Sequence, residues 1–127
     1  MSDSMLGSAP VITFLATTDT ARSRAFYETT IGLTFVSEDP FAMVFTAAGV
    51  MLRIVTLESF TPVGMTVLGW TVSDIAGTVD GLTARGVRFE KFPGMTQDDA
   101  GVWASPSGAK VAWFKDPDGN LLSLTEF

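Results

Sequence analysis

The stretch VITFLATTDTARSRAFYETTIGLTF, Val11 to Phe35, runs in the order strand, acidic cap, helix, glycine, strand. Val11 to Thr17 alternates β-branched and aromatic residues, the period-two pattern of a strand. Asp19 stands where a carboxylate can accept amides of a helix's first turn, which have no partner inside the helix. Ala21 to Thr30 then brings Ala21, Ala25 and Phe26 near one helical face. Gly32 can take the left-handed backbone that closes a helix. The same order returns in MTVLGWTVSDIAGTVDGLTARGVRF, Met65 to Phe89. Asp19 superposes on Asp74, with Gly32 close to Gly86 and Phe35 close to Phe89, about 55 residues apart. Two such units in register imply an internal duplication.

The first unit continues with strands over Leu33–Glu38, Phe41–Ala47 and Val50–Glu58, separated by turns at Asp39-Pro40 and Ala48-Gly49. Phe60 to Gly64, punctuated by Pro62, reads as a linker. The second unit gives a strand over Met65–Val72, a helix over Ile75–Arg85 capped by Asp74 and ended by Gly86, and a strand over Val87–Phe92. A polar loop around Gln97–Ala100 has the composition of a solvated segment or a lid. Strands over Gly101–Ala104, Ala109–Lys115 and Asn120–Phe127 complete it, the last two joined by the tight turn Asp116-Pro117-Asp118-Gly119. The expected organisation is an α+β fold: a lead-in over 1–10, then one domain over 11–127 made of βαβββ modules at 11–58 and 65–127.

Composition narrows the chemistry. The chain has 127 residues, 46% of them apolar, with ten Phe and three Trp, enough for one aromatic-rich core. Cysteine and histidine are both absent. That excludes disulfides and thiolate nucleophiles, and removes the commonest neutral-pH base and transition-metal ligand. A net charge of −6 with scattered Lys and Arg excludes a nucleic-acid surface. No apolar run reaches the roughly 18–20 residues that span a bilayer. The start lacks a secretion signal's pattern, so a cytoplasmic location is expected.

Phe14-Leu15-Ala16-Thr17-Thr18-Asp19, Arg24-Ala25-Phe26-Tyr27-Glu28 leading into Ile31-Gly32-Leu33, and Ala112-Trp113-Phe114-Lys115-Asp116-Pro117-Asp118-Gly119-Asn120 resemble the vicinal oxygen chelate superfamily. That group contains glyoxalase I, extradiol dioxygenases, fosfomycin-resistance enzymes and bleomycin-resistance binding proteins. The resemblance spans roughly residues 11 to 127. It implies two βαβββ modules whose mostly antiparallel strands curl into a cup that holds a ligand, often in a homodimer. Most enzymes of the group hold a divalent metal on four inward side chains. The resemblance places those four positions at Ile12, Arg53, Leu68 and Ser123. Two aliphatic side chains, a cation and a hydroxyl make no donor set for such an ion, so neither metal nor other cofactor is expected. Glu126 is the one tempting carboxylate, but three residues from Ser123 it points to the other face of a strand.

The expected ligand-binding residues are Ile12, Phe14, Met51, Arg53, Leu68, Trp70 and Ser123. They describe an apolar, aromatic-rich pocket with few polar groups, the usual makeup of a small-molecule site; the same residues would serve equally as a filled core. An arginine facing that cup can grip a carboxylate, phosphate or enolate with two hydrogen bonds, or it pairs at the surface with a neighbouring acid. Trp70, Trp103 and Trp113 can stack on a planar ligand or pack in a core or interface. Tyr27, where the family carries an aromatic pair, is read as packing with its hydroxyl at the rim. The leading expectation is a metal-independent protein binding a small apolar or aromatic molecule, with or without an anionic group. The alternatives are a cofactor-independent lyase or isomerase using Arg53 to stabilise an oxyanion, a metal-dependent lyase or dioxygenase, and a degenerate copy used in protein interaction.

Overall fold

A computed structural model describes residues 5–127; the first four residues of the expected lead-in lie outside it. The elements run β1 (Ile12–Thr17), α1 (Thr20–Arg24) widening into a π-helical stretch (Ala25–Thr30), β2 (Thr34–Glu38), β3 (Ala42–Ala47) and β4 (Val50–Thr56). Then come β5 (Thr66–Thr71), α2 (Ile75–Ala84), β6 (Trp103–Ala104), β7 (Lys110–Lys115) and β8 (Leu121–Glu126). They form two four-stranded sheets of like order, β1-β4-β3-β2 and β5-β8-β7-β6. In each, the two edge-ward pairs after the helix are antiparallel, and the first strand joins the last in parallel. The duplicated βαβββ architecture is therefore present.

The repeat is reproduced residue by residue. Asp19 accepts the Arg22 amide at 3.1 Å and Asp74 the Gly77 amide at 3.0 Å, each capping its helix. Gly32 and Gly86 both take positive φ, +81° and +94°, where a side chain would clash with the following carbonyl. The Phe35 ring meets Phe45 at 5.4 Å, and Phe89 meets Phe114 at the same distance.

One expected element is different. Val87–Phe92 and Gly101–Ala104 are not two strands but two pieces of one, both laid against β7. Phe89 bridges Phe114, and the Glu90 amide donates to the Trp113 carbonyl; the chain then leaves and returns at Trp103, opposite Val111. The interruption leaves backbone groups that a strand neighbour would have satisfied, and Gln97 takes over that role. Its Oε1 accepts the Phe92 amide at 2.8 Å, and its Nε2 donates to the carbonyls of Glu90 and Gly101 at 3.0 and 2.7 Å. Asp98 accepts the amides of Ala100 and Val102 in the same loop. The segment read as a solvated loop or lid is thus fastened by its own polar side chains. Gln97→Leu, similar in size but without these groups, is expected to lower stability by about 1–3 kcal/mol. It should also speed amide exchange between Glu90 and Val102. Unchanged protection there would show that the loop is held by something else.

The two modules share one core. Leu15, Met43, Phe45, Leu52 and Ile54 from the first sheet join Ala112, Phe114, Leu122 and Leu124 from the second and Ile75 and Val79 from α2, with Tyr27 between them. The Phe26 ring lies 6.4 Å from Phe114, so the first helical segment packs directly on the second sheet. Each of the Leu, Ile, Val, Met and Phe side chains, fully removed from water, contributes about 1.5–3 kcal/mol.

A polar cluster fastens the junction. Asp116 is 5% exposed and Tyr27 is 0% exposed, so the Tyr27 hydroxyl lies inside the core and not at the rim as expected. The Tyr27 hydroxyl donates to Asp116 Oδ2 at 2.6 Å, and Asn120 Nδ2 donates to the same oxygen at 2.8 Å. Asp116 Oδ1 accepts the amides of Asp118 and Asn120. Asn120 Nδ2 also reaches the Ala16 carbonyl on β1, and Thr17 Oγ1 donates to Asp118 Oδ2 at 2.6 Å. The β7–β8 turn of one module is therefore hydrogen-bonded to β1 and to the π-helical stretch of the other.

Candidate functional site

Strand parity gives each sheet two faces. One face of the first sheet, bearing Leu15, Leu52, Ile54 and Phe45, faces the shared core, where Tyr27 packs on Phe45. The reverse face carries Ile12, Phe14, Met51 and Arg53 together. Ile12 stands opposite Met51, and Phe14 opposite Arg53, which is flanked on its other side by Val44. Four of the residues expected to bind ligand are thus neighbours. Their face is open in the single chain: Phe14 is 60% exposed and Ile12 47%.

The Arg53 side chain makes no hydrogen bond or ion pair with any described residue. Its positive charge is felt at Asp39, whose carboxyl is held below the usual carboxylate range. The amides of Phe41 and Ala42 are the main cause there, and Arg53 adds to them. The guanidinium stands at partial burial on an apolar surface with its five donors uncommitted.

The second sheet places the remaining residues differently. Ser123 is 9% exposed and lies on the reverse face, opposite Trp113 on β7. Leu68 and Trp70 do not share that face. They pack against the core, Trp70 with its ring stacked 6.2 Å from Phe114. The cause is a bulge in β5: Thr66 aligns with Leu121, yet Leu68 aligns with Leu122. One extra residue reverses side-chain parity downstream, so Gly69 rather than Leu68 stands opposite Ser123. Sequence reading missed Gly69. Its signal was an isolated glycine inside a strand pattern, which marks a bulge or a close approach. The three tryptophans divide accordingly. Trp103 and Trp113, 6.1 Å apart, stand on the reverse face with Phe92 edge-on to Trp113 at 5.4 Å, while Trp70 belongs to the core.

The chemistry of the positions where the family holds a metal can now be tested. Ile12, Arg53, Ser123 and either Leu68 or Gly69 present one hydroxyl and one cation, which do not fit a divalent ion. Among the described residues no three His, Cys, Asp or Glu side chains gather where they could hold one. Glu126 is committed elsewhere, its Oε1 accepting the Ile75 amide at the start of α2 at 3.0 Å. No helix among the described residues is long and apolar enough to cross a membrane.

Paired βαβββ sheets of this order define a fold class, and the sequence itself carries its signature. The chain belongs to the Glyoxalase/Bleomycin resistance protein/Dioxygenase superfamily, whose family model matches residues 10–124. Solved structures agree on the fold. TnmS3, an antibiotic binding protein from Streptomyces sp. CB03234, superposes with a TM-score of 0.72 at 22% identity, covering 97% of this chain and 98% of that one. A glyoxalase/bleomycin resistance protein/dioxygenase from Alicyclobacillus acidocaldarius gives 0.70 at 15% identity, covering 94% and 92%. Lactoylglutathione lyase from Agrobacterium tumefaciens gives 0.65 at 23% identity, covering 94% and 93%. No curated protein matches the sequence significantly.

Proposed function

We propose that this protein binds a small, apolar or aromatic molecule bearing an anionic group, without a metal. The observation that carries the reading is Arg53, a guanidinium without a hydrogen-bonding or ionic partner, set between Phe14 and Val44 on an open apolar face. An uncommitted arginine on such a surface is a receptor for a carboxylate, phosphate or enolate, because the planar fork matches two oxygens at once. Ile12, Phe14 and Met51 beside it supply the apolar contact that small-molecule sites use. TnmS3 shares the fold and is an antibiotic binding protein, which accords with a binding role.

A second copy of the chain completes the site in this reading. β1 and β5 are both edge strands, and they expose Ile12, Phe14 and Val67. Unpaired edges with exposed apolar side chains are places where another sheet adds. A homodimer joined there would enclose the Arg53 face, and sedimentation reports that state directly.

The experiment is a binding series with aromatic carboxylates against wild type and Arg53→Ala. Charge-assisted hydrogen bonds of about 1.5–3 kcal/mol imply that the substitution weakens binding roughly 10- to 100-fold. The fold should change little, since the side chain has no hydrogen bond or ion pair to lose and only its long-range effect on Asp39 goes with it. Equal affinity in both proteins would remove Arg53 from the site, and no binding by wild type would remove the reading itself.

A further inference from the structure

We infer that the groove between α1, the end of α2 and the end of β7 binds a short polyphosphate, held by Arg22, Arg85, Arg88 and Lys115. The site is separate from the Arg53 face, since none of its residues lies on the first sheet. The groove has a volume of about 510 Å³. It takes four of the chain's eight Lys and Arg, which are scattered in sequence and gathered by the fold. Arg22 comes from α1, Arg85 and Arg88 from either side of the glycine that ends α2, and Lys115 from the last residue of β7. Gly86, at φ +94°, reverses the chain, and Val87 is buried beneath it while both arginines stay exposed. Arg85 Nη1 donates to the Thr30 carbonyl at 3.0 Å, which holds its guanidinium across the junction of the two modules.

The charge of these side chains is not neutralised within the protein. Arg22 and Arg88 make no side-chain hydrogen bond or ion pair with any described residue. Arg24, outside the groove, shows the contrast: it lies 3.0 Å from Glu28 and 3.6 Å over the Phe35 ring. Two carboxylates border the groove. Glu90 forms a loose pair with Lys115 at 3.8 Å, and Asp116 already accepts four hydrogen bonds from Tyr27, Asn120 and the amides of its own turn. Four cations therefore meet two carboxylates, one of them committed to internal donors, on a chain whose net charge is −6. Like charges gathered in this way repel one another until an anion lies between them. Guanidinium forks suit phosphate oxygens, and cations on three elements meet oxygens that point in several directions. The acidic remainder of the chain limits the anion's length. A nucleic acid would run out of the groove into like charge, whereas a few linked phosphates would not. Phe26 and Pro117 line the same groove and offer apolar contact to an organic group attached to the phosphates.

The test is calorimetry with tripolyphosphate at low salt, where exposed charges are least screened. Wild type is expected to bind it about tenfold or more tightly than orthophosphate, because a single phosphate meets fewer of the four cations. The Arg22→Ala/Arg88→Ala double variant should weaken tripolyphosphate binding about 30-fold or more. Its fold should change little, since neither side chain has a hydrogen bond or ion pair to lose, and circular dichroism checks this. Lys110→Ala removes a charge at the other end of β7 and should alter binding by no more than about twofold. Adenosine triphosphate binding more tightly than tripolyphosphate would support a nucleotide with its organic part on Phe26. Equal or weaker binding would support the polyphosphate alone. Wild type that shows no saturable tripolyphosphate binding would overturn the proposal. Equal losses in Lys110→Ala and in the double variant would overturn it too, by reducing the effect to net charge. So would a loss in Arg53→Ala as large as in the double variant, which would move the anion to the reverse face of the first sheet.

Discussion

Asp116→Ala is expected to lower the stability of the fold by about 3–5 kcal/mol, the largest effect of any single substitution outside the apolar core. Asp116 accepts four hydrogen bonds, from the Tyr27 hydroxyl, the Asn120 side chain, and the amides of Asp118 and Asn120. Alanine leaves all four donors without their acceptor, and the Tyr27 hydroxyl has nowhere to turn because the residue is 0% exposed. A buried donor without a partner costs about 1–3 kcal/mol, and water entering the small cavity recovers part of that. Asn120 also holds the Ala16 carbonyl, so its displacement loosens the contact between the β7–β8 turn and β1. For a domain of this size each kcal/mol shifts the melting temperature by roughly 3–5 °C, so the loss is plain in a thermal melt. Asp116→Asn provides the internal comparison. It keeps the volume and one acceptor oxygen, but turns an amide toward the donors of Asn120 and Tyr27, and its cost should be intermediate. An alanine variant within 1 kcal/mol of wild type would mean that the apolar contact of Phe26 with Phe114 joins the modules unaided.

How much of this could be read in the sequence differs between fold and site. The fold was legible because its determinants are local and occur twice. Asp19 and Asp74 cap, Gly32 and Gly86 turn left-handed, and Phe35 and Phe89 meet their partners at equal distances. The caps and the glycine turns do not depend on which strand becomes whose neighbour, and the two Phe contacts follow from the same pairing in each module. The reverse face of the first sheet was legible for the same reason, since β1 and β4 pair without interruption and parity carries Ile12, Phe14, Met51 and Arg53 to one side. The second sheet was not, because its register depends on a bulge. The extra residue between Thr66 and Leu68 is fixed by hydrogen bonding to β8, and it exchanges Leu68 for Gly69 opposite Ser123. The interrupted strand shows the same limit. Composition marks Val87–Phe92 and Gly101–Ala104 as extended, but only β7 makes them halves of one strand, with Gln97 closing the gap. Arg53 differs again: its position was legible, and its lack of a partner was not, since that depends on where every acid in the fold ends up.

Alkaline pH should unfold this protein through a single side chain. Burial, and then the charge and hydrogen bond of Asp116, hold the Tyr27 phenol far above its ordinary range, with the Asp118 charge adding to them. An unfolded tyrosine ionises near pH 10. Below that pH both states keep the proton, and Tyr27 contributes no pH dependence. Above it the unfolded chain releases a proton that the folded chain retains. Stability therefore falls as pH rises, by about 1.4 kcal/mol per pH unit from this one group. The chain contains one tyrosine, so tyrosinate absorbance reports this residue alone. That absorbance should stay silent in the native protein past pH 10 and appear together with the loss of folded-state circular dichroism, as one transition. Tyr27→Phe gives the complementary result. At pH 7 it is less stable than wild type by about 1.5–3 kcal/mol, the worth of a hydrogen bond to a charged acceptor. Between pH 10 and 12 the deficit should shrink, because phenylalanine has no proton for the unfolded state to lose. Tyrosinate appearing near pH 10 in a still-folded protein would contradict the account, since it would require the phenolate to be tolerated beside Asp116 in the core.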